Sequence, residues 1–537
     1  MSEAIPTASS VRPAIHLECA VVNEPSTRNP TGLRFGVIGA GVSGIAAASI
    51  LNRNGHTTVL FEKHRKIGGV WAVSYPRVAL QNTYPHYELS EYPWPFKPDF
   101  HPSGAQIERY LGMAVEHLGL DVRLQHEVFG IEEKQDGWIV RYRNPSGEHA
   151  EEFDYLMVAV GQYTQWKHRP EFPGESEFAG RVITERDVDD LELFRDRKTV
   201  VVGFGKSAVD MATLAVETAE QVHHLFRTPR WLIPFHVLGI HYSTLLFCRA
   251  STVMIPCWDH PTRWERFLHR RMPWMVNATW ALIQRLFHHE YVKAARGKGA
   301  AAAERIRTIL PGHSIVGDLR SATALAPVNY FDQVANGEIL PYHAALEGFT
   351  SDGVELDDGR RIRCDQVLLC VGSESPRFPF FPEKYRGLVE GEPDGVQLYR
   401  HMIHPRIPRL AFAGYNHGFM HIPTAEVSTL WLCAVLRGDL TLPGADEMQR
   451  SIARIRDWKR AHINFEPSRS CAVNTRFQQY IDTVLKELGL PARRKLPNIF
   501  AEMFAQYGAR DYYGLTEEYN RAREKRPRPV PVLPRDA

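Results

Sequence analysis

Two stretches of this chain share one pattern, and that pattern restricts the fold more than any other feature of the sequence. Residues 35–48 read FGVIGAGVSGIAAA, and residues 200–212 read VVVGFGKSAVDMA. Each is an apolar run with the length of a buried strand, followed by closely spaced glycines and then by small residues with helical character. A strand that turns tightly into a helix is the unit of a parallel α/β sheet. The sequence therefore predicts an α/β fold that uses this unit twice.

Length and composition limit the classes of protein that fit. The chain has 537 residues, 44% hydrophobic and 23% charged, which is typical of a soluble globular protein with more than one core. Its formal net charge of +2 excludes a chain-wide field that recruits nucleic acid. The seven cysteines form no CxxC and no Cys/His pair at zinc spacing, which predicts free thiols and no metal site. Since the first thirty residues also lack a secretory signal pattern, we expect a cytoplasmic protein.

The first glycine stretch has the spacing of a dinucleotide-binding fingerprint. Gly39 permits the tight turn, Gly41 lets the backbone approach a pyrophosphate, and Gly44 lets helix and strand pack closely. The start of the helix adds free N–H groups that bind phosphate. About twenty residues later an acid should hold the ribose hydroxyls, and the next apolar run, HTTVLFE, ends at Glu62.

The second stretch repeats the fingerprint with one informative change. Gly203 and Gly205 lead into a helix, with Lys206 and Ser207 at its start as further candidate cofactor contacts. The next strand ends at Arg227, where the first copy has an acid. A cation at that place suits the 2′-phosphate of NADP. The alternative is an arginine that merely lies solvated at a strand end.

An acid-type site followed by an arginine-type site predicts two Rossmann-like domains, one binding FAD and an inserted one binding NADPH. Flavoproteins of this plan either carry a redox cysteine pair near the flavin or pass electrons to oxygen. No cysteine lies between Cys19 and Cys248, so the flavin-side pair is absent. Oxygen is therefore the favoured electron acceptor.

Five longer stretches extend the comparison beyond the fingerprints. They are FEKHRKIGGVW (61–71), LQNTYPHYELSEYPWP (80–95), LMVAVGQYTQWKHRPEFPG (156–174), QVLLCVGSESP (366–376) and LAFAGYNHGFMHIPTAEVSTLWLCAVLRG (410–438). With them the chain resembles the flavin-containing monooxygenases and their Baeyer–Villiger relatives from about residue 33 to about residue 448. The resemblance implies that Asn82 is the family's active-site asparagine. It also assigns further flavin-site residues: Lys63, Gly69, Trp71, Val128, Gly161 and Gly414.

One motif departs from the family's pattern. The family marker between the domains has the form FxGxxxH followed by an aromatic residue. Here FAGRVITERDV provides Phe178 and Gly180, but Thr184 stands where histidine is usual and Val188 where the aromatic is usual. This departure weakens assignment to either the flavin-containing or the Baeyer–Villiger branch, and it does not affect the predicted dinucleotide sites.

The resemblance implies an FAD- and NADPH-dependent monooxygenase that inserts one atom of O2 into a small organic substrate through a C4a-(hydro)peroxyflavin. Baeyer–Villiger relatives have an arginine near this oxygen, so Asn82 favours N- or S-oxygenation. The alternatives are Baeyer–Villiger oxidation of a ketone, an NADPH oxidase or reductase without oxygen insertion, and a non-catalytic dinucleotide-binding protein. Asn82 itself could instead be a turn residue that caps its own loop.

The expected domain organisation follows from these motifs. Residues 33–165 and 373–445 form the FAD domain, and residues 166–372 form the NADPH domain with a helical insertion at about 235–324 that covers the substrate. An extension (1–32) precedes them, and a helical segment (446–520) and a disordered Pro-rich tail (521–537) follow.

Two local features complete the expectations. A helix should begin near Thr424 and end before Gly438, with His417 and His421 in the preceding loop, where they either face substrate or are solvated. The apolar stretch 237–258 is too interrupted to span a membrane. The aromatic and basic stretch 258–280 favours core packing, with a helix lying on a bilayer surface as the alternative.

Overall fold

The structure is a computed structural model and describes residues 32–162, 166–255, 261–319, 323–416, 418–462, 473, 475–525 and 530–532. The extension predicted for residues 1–32 therefore lies almost entirely outside the described residues, as does His417. The first part of the chain contains β1 (Arg34–Ile38), α1 (Val42–Arg53), β2 (Thr57–Glu62), α2 (Gly104–His117), β3 (Asp121–Leu124), β4 (Glu127–Lys134), β5 (Gly137–Asn144), β6 (Gly147–Phe153) and β7 (Tyr155–Val158).

The middle of the chain holds the second fingerprint and the insertion. Its elements before the insertion are β8 (Arg181–Thr184), β9 (Lys198–Val202), α3 (Lys206–Ala215) and β10 (Gln221–Phe226). The insertion contributes β11 (Leu232–Ile233), β12 (His236–Val237), β13 (Ile240–His241), α4 (Tyr242–Leu246), α5 (Arg249–Thr252), α6 (Arg263–Arg271), α7 (Pro273–Lys293), α8 (Ala300–Thr308), α9 (Ile315–Asp318) and β14 (Ala324–Leu325). The helix predicted for the alanine run KGAAAAERIRTIL is α8.

The remaining elements complete both sheets and end in helices. They are α10 (Tyr330–Asn336), β15 (Ile339–His343), β16 (Leu346–Thr350), β17 (Gly353–Leu356), β18 (Arg361–Arg363), β19 (Gln366–Leu369), α11 (Glu383–Glu390), β20 (Leu410–Phe412), α12 (His421–Leu436), β21 (Leu440–Thr441), α13 (Ala445–His462), α14 (Phe477–Leu488), α15 (Ile499–Phe504), α16 (Leu515–Arg523) and β22 (Val530–Pro531).

Two parallel five-stranded sheets organise the fold. The first has the order β20-β7-β1-β2-β3 and the second β15-β10-β9-β19-β8. In each sheet the fingerprint strand, β1 or β9, lies where the strand order reverses, which is where open α/β sheets bind ligands. All strands of the second sheet fall between β7 and β20 of the first in sequence. The prediction of two Rossmann-like folds, one inserted in the other, is confirmed.

The helix after β20 begins three residues earlier than predicted. α12 starts at His421 with Pro423 as its third residue, and a proline in the first turn costs nothing because that N–H has no helical partner. Placing the start near Thr424 was therefore wrong, and His421 lies in the first turn rather than in the loop. The predicted end before Gly438 is confirmed.

The tail predicted to be disordered over residues 521–537 is ordered in part. Residues 521–523 belong to α16, and β22 pairs in parallel with β21. The N–H groups of Val530 and Val532 donate to the carbonyls of Asp439 and Thr441, at 3.0 Å each. Pro531 lies between these valines, so its missing N–H group is at a position that the pairing does not need. Composition alone therefore misled the prediction for these residues.

The aromatic stretch of the insertion divides between core and surface. Trp280 and Phe287 of α7 are buried, whereas Trp264 of α6 is 59% and Trp274 of α7 is 67% exposed. Residues 237–255 form short strands and helices. Among the residues that the structure describes, none of the helices combines the length and the apolarity needed to cross a bilayer.

Candidate functional site

The first glycine cradle shows which of its glycines the fold itself needs. Gly39 has a φ of +108°, and a Cβ on it would lie 2.5 Å from the carbonyl oxygen of Ala159. A Cβ on Gly44 would lie 2.1 Å from the carbonyl oxygen of Gly39. Gly41 is different, because its backbone is extended (φ −76°, ψ 179°) and its Cβ would meet Gly69 Cα at an ordinary 3.5 Å. Packing does not demand a glycine at position 41, which leaves close approach of a ligand as the reason for it.

Two other segments close around the start of α1. The Gly68 N–H donates to the Ala40 carbonyl at 3.2 Å, which holds Gly69 against Gly41. From the other side, a Cβ on Gly414 would lie 2.4 Å from Ser43 Oγ. The N-terminus of α1 has no side-chain cap and no acid in its first turn. Its free N–H groups and positive dipole end fit a pyrophosphate.

The first turn of α12 is bound to this cradle through a histidine. His421 Nε2 lies 2.8 Å from Ser43 Oγ, and burial lowers the pKa of His421 to about 4. The imidazole is therefore neutral at physiological pH. This contact ties α12 to the fingerprint helix α1.

The remaining residues predicted for the flavin site are distributed around this edge of the sheet. The Glu62 carboxylate is buried and accepts hydrogen bonds from the N–H groups of Ala40 and His64, both at 3.0 Å. It is thereby fixed beside the cradle, as a ribose ligand must be. Lys63 is exposed directly after β2, and Trp71 donates a hydrogen bond to the Tyr87 hydroxyl at 2.9 Å. Val128 lies on β4, and Gly161 follows β7 with a φ of +79°.

The second cradle repeats the same division of roles. Gly203 has a φ of +123°, and a Cβ there would lie 2.3 Å from the Cys370 carbonyl oxygen. Gly205 has an extended backbone (φ −83°, ψ −178°) with open space around its Cβ position. The helix α3 starts there without a side-chain cap or an acid in its first turn, which includes Ser207. This arrangement fits a second pyrophosphate.

The two cations predicted for this second site differ in their surroundings. Arg227 directly follows β10 and is exposed, at the carboxyl edge of the sheet that also carries the cradle. Lys206 Nζ lies 2.5 Å from Asp210 Oδ1 in its own helix, and the Tyr75 hydroxyl donates to the same carboxylate at 2.7 Å. Lys206 is therefore already neutralised, and Arg227 is the better placed partner for a 2′-phosphate.

A cleft of about 550 Å³ lies between the first cradle's 3-10 helix (Gly69–Val73) and the end of β8. It is lined by Ala72, Val73, Ser74, Trp166, Lys167, Thr184, Arg186 and Asp189. Thr184, which replaces the family's histidine, accepts from the Arg186 N–H and so caps the next short helix. Lys167 pairs with buried Glu185 at 2.5 Å, and burial lowers the pKa of the Arg186 guanidinium. Sequence reasoning missed this cleft, because its lining residues come from two segments far apart in the sequence, 72–74 and 166–189.

Asn82 is buried beside the first turn of α12. Its side-chain amide donates to the Phe419 carbonyl, and its own carbonyl accepts from His101 Nδ1 at 2.9 Å. The structure thus brings Asn82, the His421 turn and the α1 cradle to one place, although 337 residues separate Asn82 from Phe419. An asparagine that merely capped its own loop would bond locally, and this one bonds across the fold.

Two family descriptions match separate parts of the chain. Residues 36–235 match "Pyridine nucleotide-disulphide oxidoreductase", and residues 333–506 match "Flavin-binding monooxygenase-like". The chain is similar to the class B flavin monooxygenases, which include the flavin-containing and the Baeyer–Villiger monooxygenases. It is an FAD- and NADPH-dependent enzyme of the oxygen-inserting kind. The four cysteines that the structure describes are buried free thiols, so the disulfide chemistry in the first description finds no redox pair among them.

Individual relatives cover almost the whole chain. "Probable flavin-containing monooxygenase 1" of Arabidopsis thaliana is 28% identical, over 90% of this chain and 96% of its own length. Among solved structures, S-allyl-L-cysteine S-oxygenase from Allium sativum matches with a TM-score of 0.60 at 20% identity, covering 94% of this monooxygenase and 95% of that chain. Cyclohexanone monooxygenase from Rhodococcus sp. Phi1 matches with a TM-score of 0.56 at 18% identity, covering 76% and 84%. The two structures share the fold with this monooxygenase.

Proposed function

We propose that this monooxygenase transfers one oxygen atom to a nitrogen or sulfur atom of a small organic substrate. The observation that carries the proposal is the place of Asn82, whose amide is buried at the first turn of α12 beside the α1 cradle. The sequence resemblance assigns the active-site asparagine to this residue, where Baeyer–Villiger relatives have an arginine. An amide donates a hydrogen bond without adding charge, which suits delivery of oxygen to a soft amine or thioether.

The residues of this chain would bind the two cofactors, orient them and shield the reacting oxygen from water. NADPH when bound supplies a hydride, and FAD when bound passes the electrons to oxygen. The N–H groups after Gly41 and Gly205 would hold the two pyrophosphates, and Glu62 and Arg227 would hold the ribose hydroxyls and the 2′-phosphate. The insertion packs onto the segment that carries Asn82, where it would keep water from the reacting oxygen.

Arg186 favours one alternative, Baeyer–Villiger oxidation of a ketone. It lines the cleft together with Ser74, next to the 3-10 helix that closes the first cradle. An arginine at this place could stabilise an anionic oxygen, which attacks a carbonyl as a nucleophile. Asn82 therefore supports oxygen transfer to nitrogen or sulfur, and Arg186 supports the Baeyer–Villiger reaction.

Product analysis separates these chemistries and the oxidase alternative. The purified yellow protein would be supplied with NADPH, ¹⁸O₂ and a panel of amines, sulfides, ketones and amino acids. We expect N- or S-oxides carrying one ¹⁸O atom. An ester or lactone product would instead support the Baeyer–Villiger reaction, and hydrogen peroxide as the sole oxygen product would support an oxidase.

Coenzyme choice gives a prediction for Arg227. Losing a charge-assisted contact costs about 1.5–3 kcal/mol, which corresponds to about one to two decades in affinity. Arg227→Ala should therefore raise the KM for NADPH about 10- to 100-fold and leave the KM for NADH nearly unchanged. Steady-state kinetics with both coenzymes measures the difference.

Arg181 provides the matched control. It is also exposed but begins β8, so in this parallel sheet it lies at the edge opposite Arg227. Arg181→Ala should leave both KM values unchanged. Equal effects of Arg227→Ala on NADPH and NADH would remove Arg227 from the 2′-phosphate and direct attention to Arg230, which now pairs with Asp318 at 3.2 Å.

We also propose a cytoplasmic location and a substrate-covering role for the insertion. The buried free thiols Cys248, Cys364, Cys370 and Cys433 support a reducing compartment. The contacts of the insertion with the Asn82 segment support its role as a cover. Fractionation of the source cells would test the location.

A further inference from the structure

Both ends of the insertion contact the segment around Asn82. At the insertion's start, the Tyr242 hydroxyl donates to the Gln81 carbonyl, and His241 Nε2 lies 3.2 Å from His101 Nε2. At its end, the Leu325 N–H donates to Gln81 Oε1 at 3.0 Å. The insertion therefore reaches the backbone around Asn82 through Gln81 and His101.

The His101–His241 contact has a definite hydrogen-bond direction. His101 Nδ1 faces the carbonyls of Asn82 (2.9 Å) and Leu80 (3.2 Å), so this nitrogen carries the proton and His101 Nε2 is the acceptor. The Ser243 N–H donates to His241 Nδ1 at 3.3 Å, which places the His241 proton on Nε2. His241 Nε2–H therefore donates to His101 Nε2, and both rings must be neutral for the bond to exist.

We propose that His101 and His241 are positioning residues, which form a latch between the insertion and the Asn82 carbonyl and which open when either ring is protonated. The chain of bonds runs from Ser243 N–H through His241 and His101 to the Asn82 carbonyl. Closing it fixes the backbone of Asn82 and holds the insertion over it. This inference rests on the role proposed for Asn82.

The surroundings of the latch keep it closed at neutral pH. Burial, with smaller contributions from His101 and His236, lowers the pKa of His241 to about 4. Burial also lowers the pKa of His101, with a further contribution from Lys206. The third neighbouring histidine, His86, is itself held neutral by burial, which lowers its pKa to about 4.

The sign of the pH effect follows from these lowered values. Unfolded histidine takes up its proton near pH 6.5, whereas folded His241 resists protonation until about pH 4 and the pKa of folded His101 is also lowered. The contribution of the latch to the stability of the fold is therefore complete above about pH 6.5 and is lost as the pH falls from there toward 4. In the folded enzyme the latch opens as His241 takes up its proton, so the coupling of NADPH oxidation to oxygenated product should fall as the pH approaches about 4.

Two variants separate the latch from general stability. His101→Asn keeps an amide donor near the Nδ1 position for the Asn82 carbonyl but removes the acceptor of His241. His241→Gln keeps an amide near the Nε2 position that can donate to neutral His101 or accept from protonated His101. The control is His236→Gln, since the His236 side chain is exposed and packs edge-on against the His241 ring, whereas the backbone pairing of the two residues does not depend on that side chain.

The measurement is the ratio of hydrogen peroxide to oxygenated product between pH 4 and pH 8. One neutral hydrogen bond is worth about 0.5–1.5 kcal/mol, so His101→Asn should raise this ratio about 2- to 12-fold at pH 7.5. The ratio of the parent and of His236→Gln should rise toward this value as the pH approaches about 4. His241→Gln should keep the low ratio at both ends of the range.

A second measurement tests the latch without depending on the oxygenation reaction. In ¹⁵N-histidine-labelled protein, the nitrogen shifts should show protonated Nδ1 in His101 and protonated Nε2 in His241. Amide hydrogen exchange of residues 79–84 should accelerate in His101→Asn. The proposed latch would be refuted if His241→Gln showed the same pH profile as the parent, or if His101 and His241 carried their protons on the same ring nitrogen. A parent that makes only peroxide would refute the proposed oxygenation, and the nitrogen shifts and exchange rates would then decide the latch alone.

Discussion

Gly41→Val should yield a folded but colourless protein. A Cβ at position 41 meets Gly69 Cα at 3.5 Å, and the backbone there is extended, so the fold accepts a side chain. The side chain would instead occupy the space into which the first N–H groups of α1 point. Losing two charge-assisted bonds at about 1.5–3 kcal/mol each weakens FAD binding by about two to four decades. The flavin-to-protein ratio from the absorbance spectrum measures this loss.

Two controls show that the effect belongs to the first site. Gly44→Ala should reduce folding itself, because its Cβ would lie 2.1 Å from the Gly39 carbonyl oxygen. Gly205→Val lies in the second cradle, where nothing surrounds the Cβ position within 4 Å. That variant should stay yellow but lose bleaching by NADPH. Stoichiometric FAD in Gly41→Val would show that the first cradle has been assigned to the wrong ligand.

The fingerprints could be predicted because their information is local. Strand, glycine spacing and helix occupy at most twenty consecutive residues. Glu62 ends β2, and Arg227 directly follows β10. The distinction between Gly39 and Gly41 needed the structure. One is required by the Ala159 carbonyl, 120 positions away, whereas the other is required by nothing in the protein itself.

The predictions that failed depended on local rules that distant contacts overrode. The helix start near Thr424 was placed by a capping signal, but the His421 turn is held by Ser43 on α1. The Pro-rich tail was interpreted by composition, yet Val530 and Val532 find partners beside β21. Neither contact can be recognised from the residues of its own stretch of sequence.

The cleft and the latch escaped prediction for the same reason. Thr184 was noticed only as a missing histidine, whereas the structure shows it lining a cleft with Ser74, which follows the 3-10 helix of the first cradle. His101 and His241 are two of 24 histidines and lie 140 residues apart. Residue type without geometry could not single them out.

Asn82→Ala should uncouple the enzyme without blocking its reduction. Asn82 lies at the first turn of α12, whereas the NADPH cradle lies on the second sheet. The variant should therefore keep its yellow colour and its anaerobic rate of bleaching by NADPH. In air with substrate it should convert NADPH into hydrogen peroxide. Removing one positioned donor costs about 2.7–4 kcal/mol in comparable oxyanion sites, so oxygenated product should fall by about two to three decades.

A structural role for Asn82 predicts a different result, because its amide also satisfies the buried Phe419 carbonyl. Leaving that carbonyl unpaired costs about 1–3 kcal/mol of stability, which would lower the melting temperature of Asn82→Ala. Asn82→Asp keeps the size of the side chain but removes the amide N–H donors both for the Phe419 carbonyl and for the reacting oxygen, so melting temperature and coupling are measured side by side in both variants to separate the roles. If donation to the reacting oxygen matters, both variants should lose product to a similar degree while binding FAD. A variant that melts earlier yet couples NADPH to product as tightly as the parent would make Asn82 a structural residue, and the choice between heteroatom and Baeyer–Villiger oxygenation would then pass to Arg186.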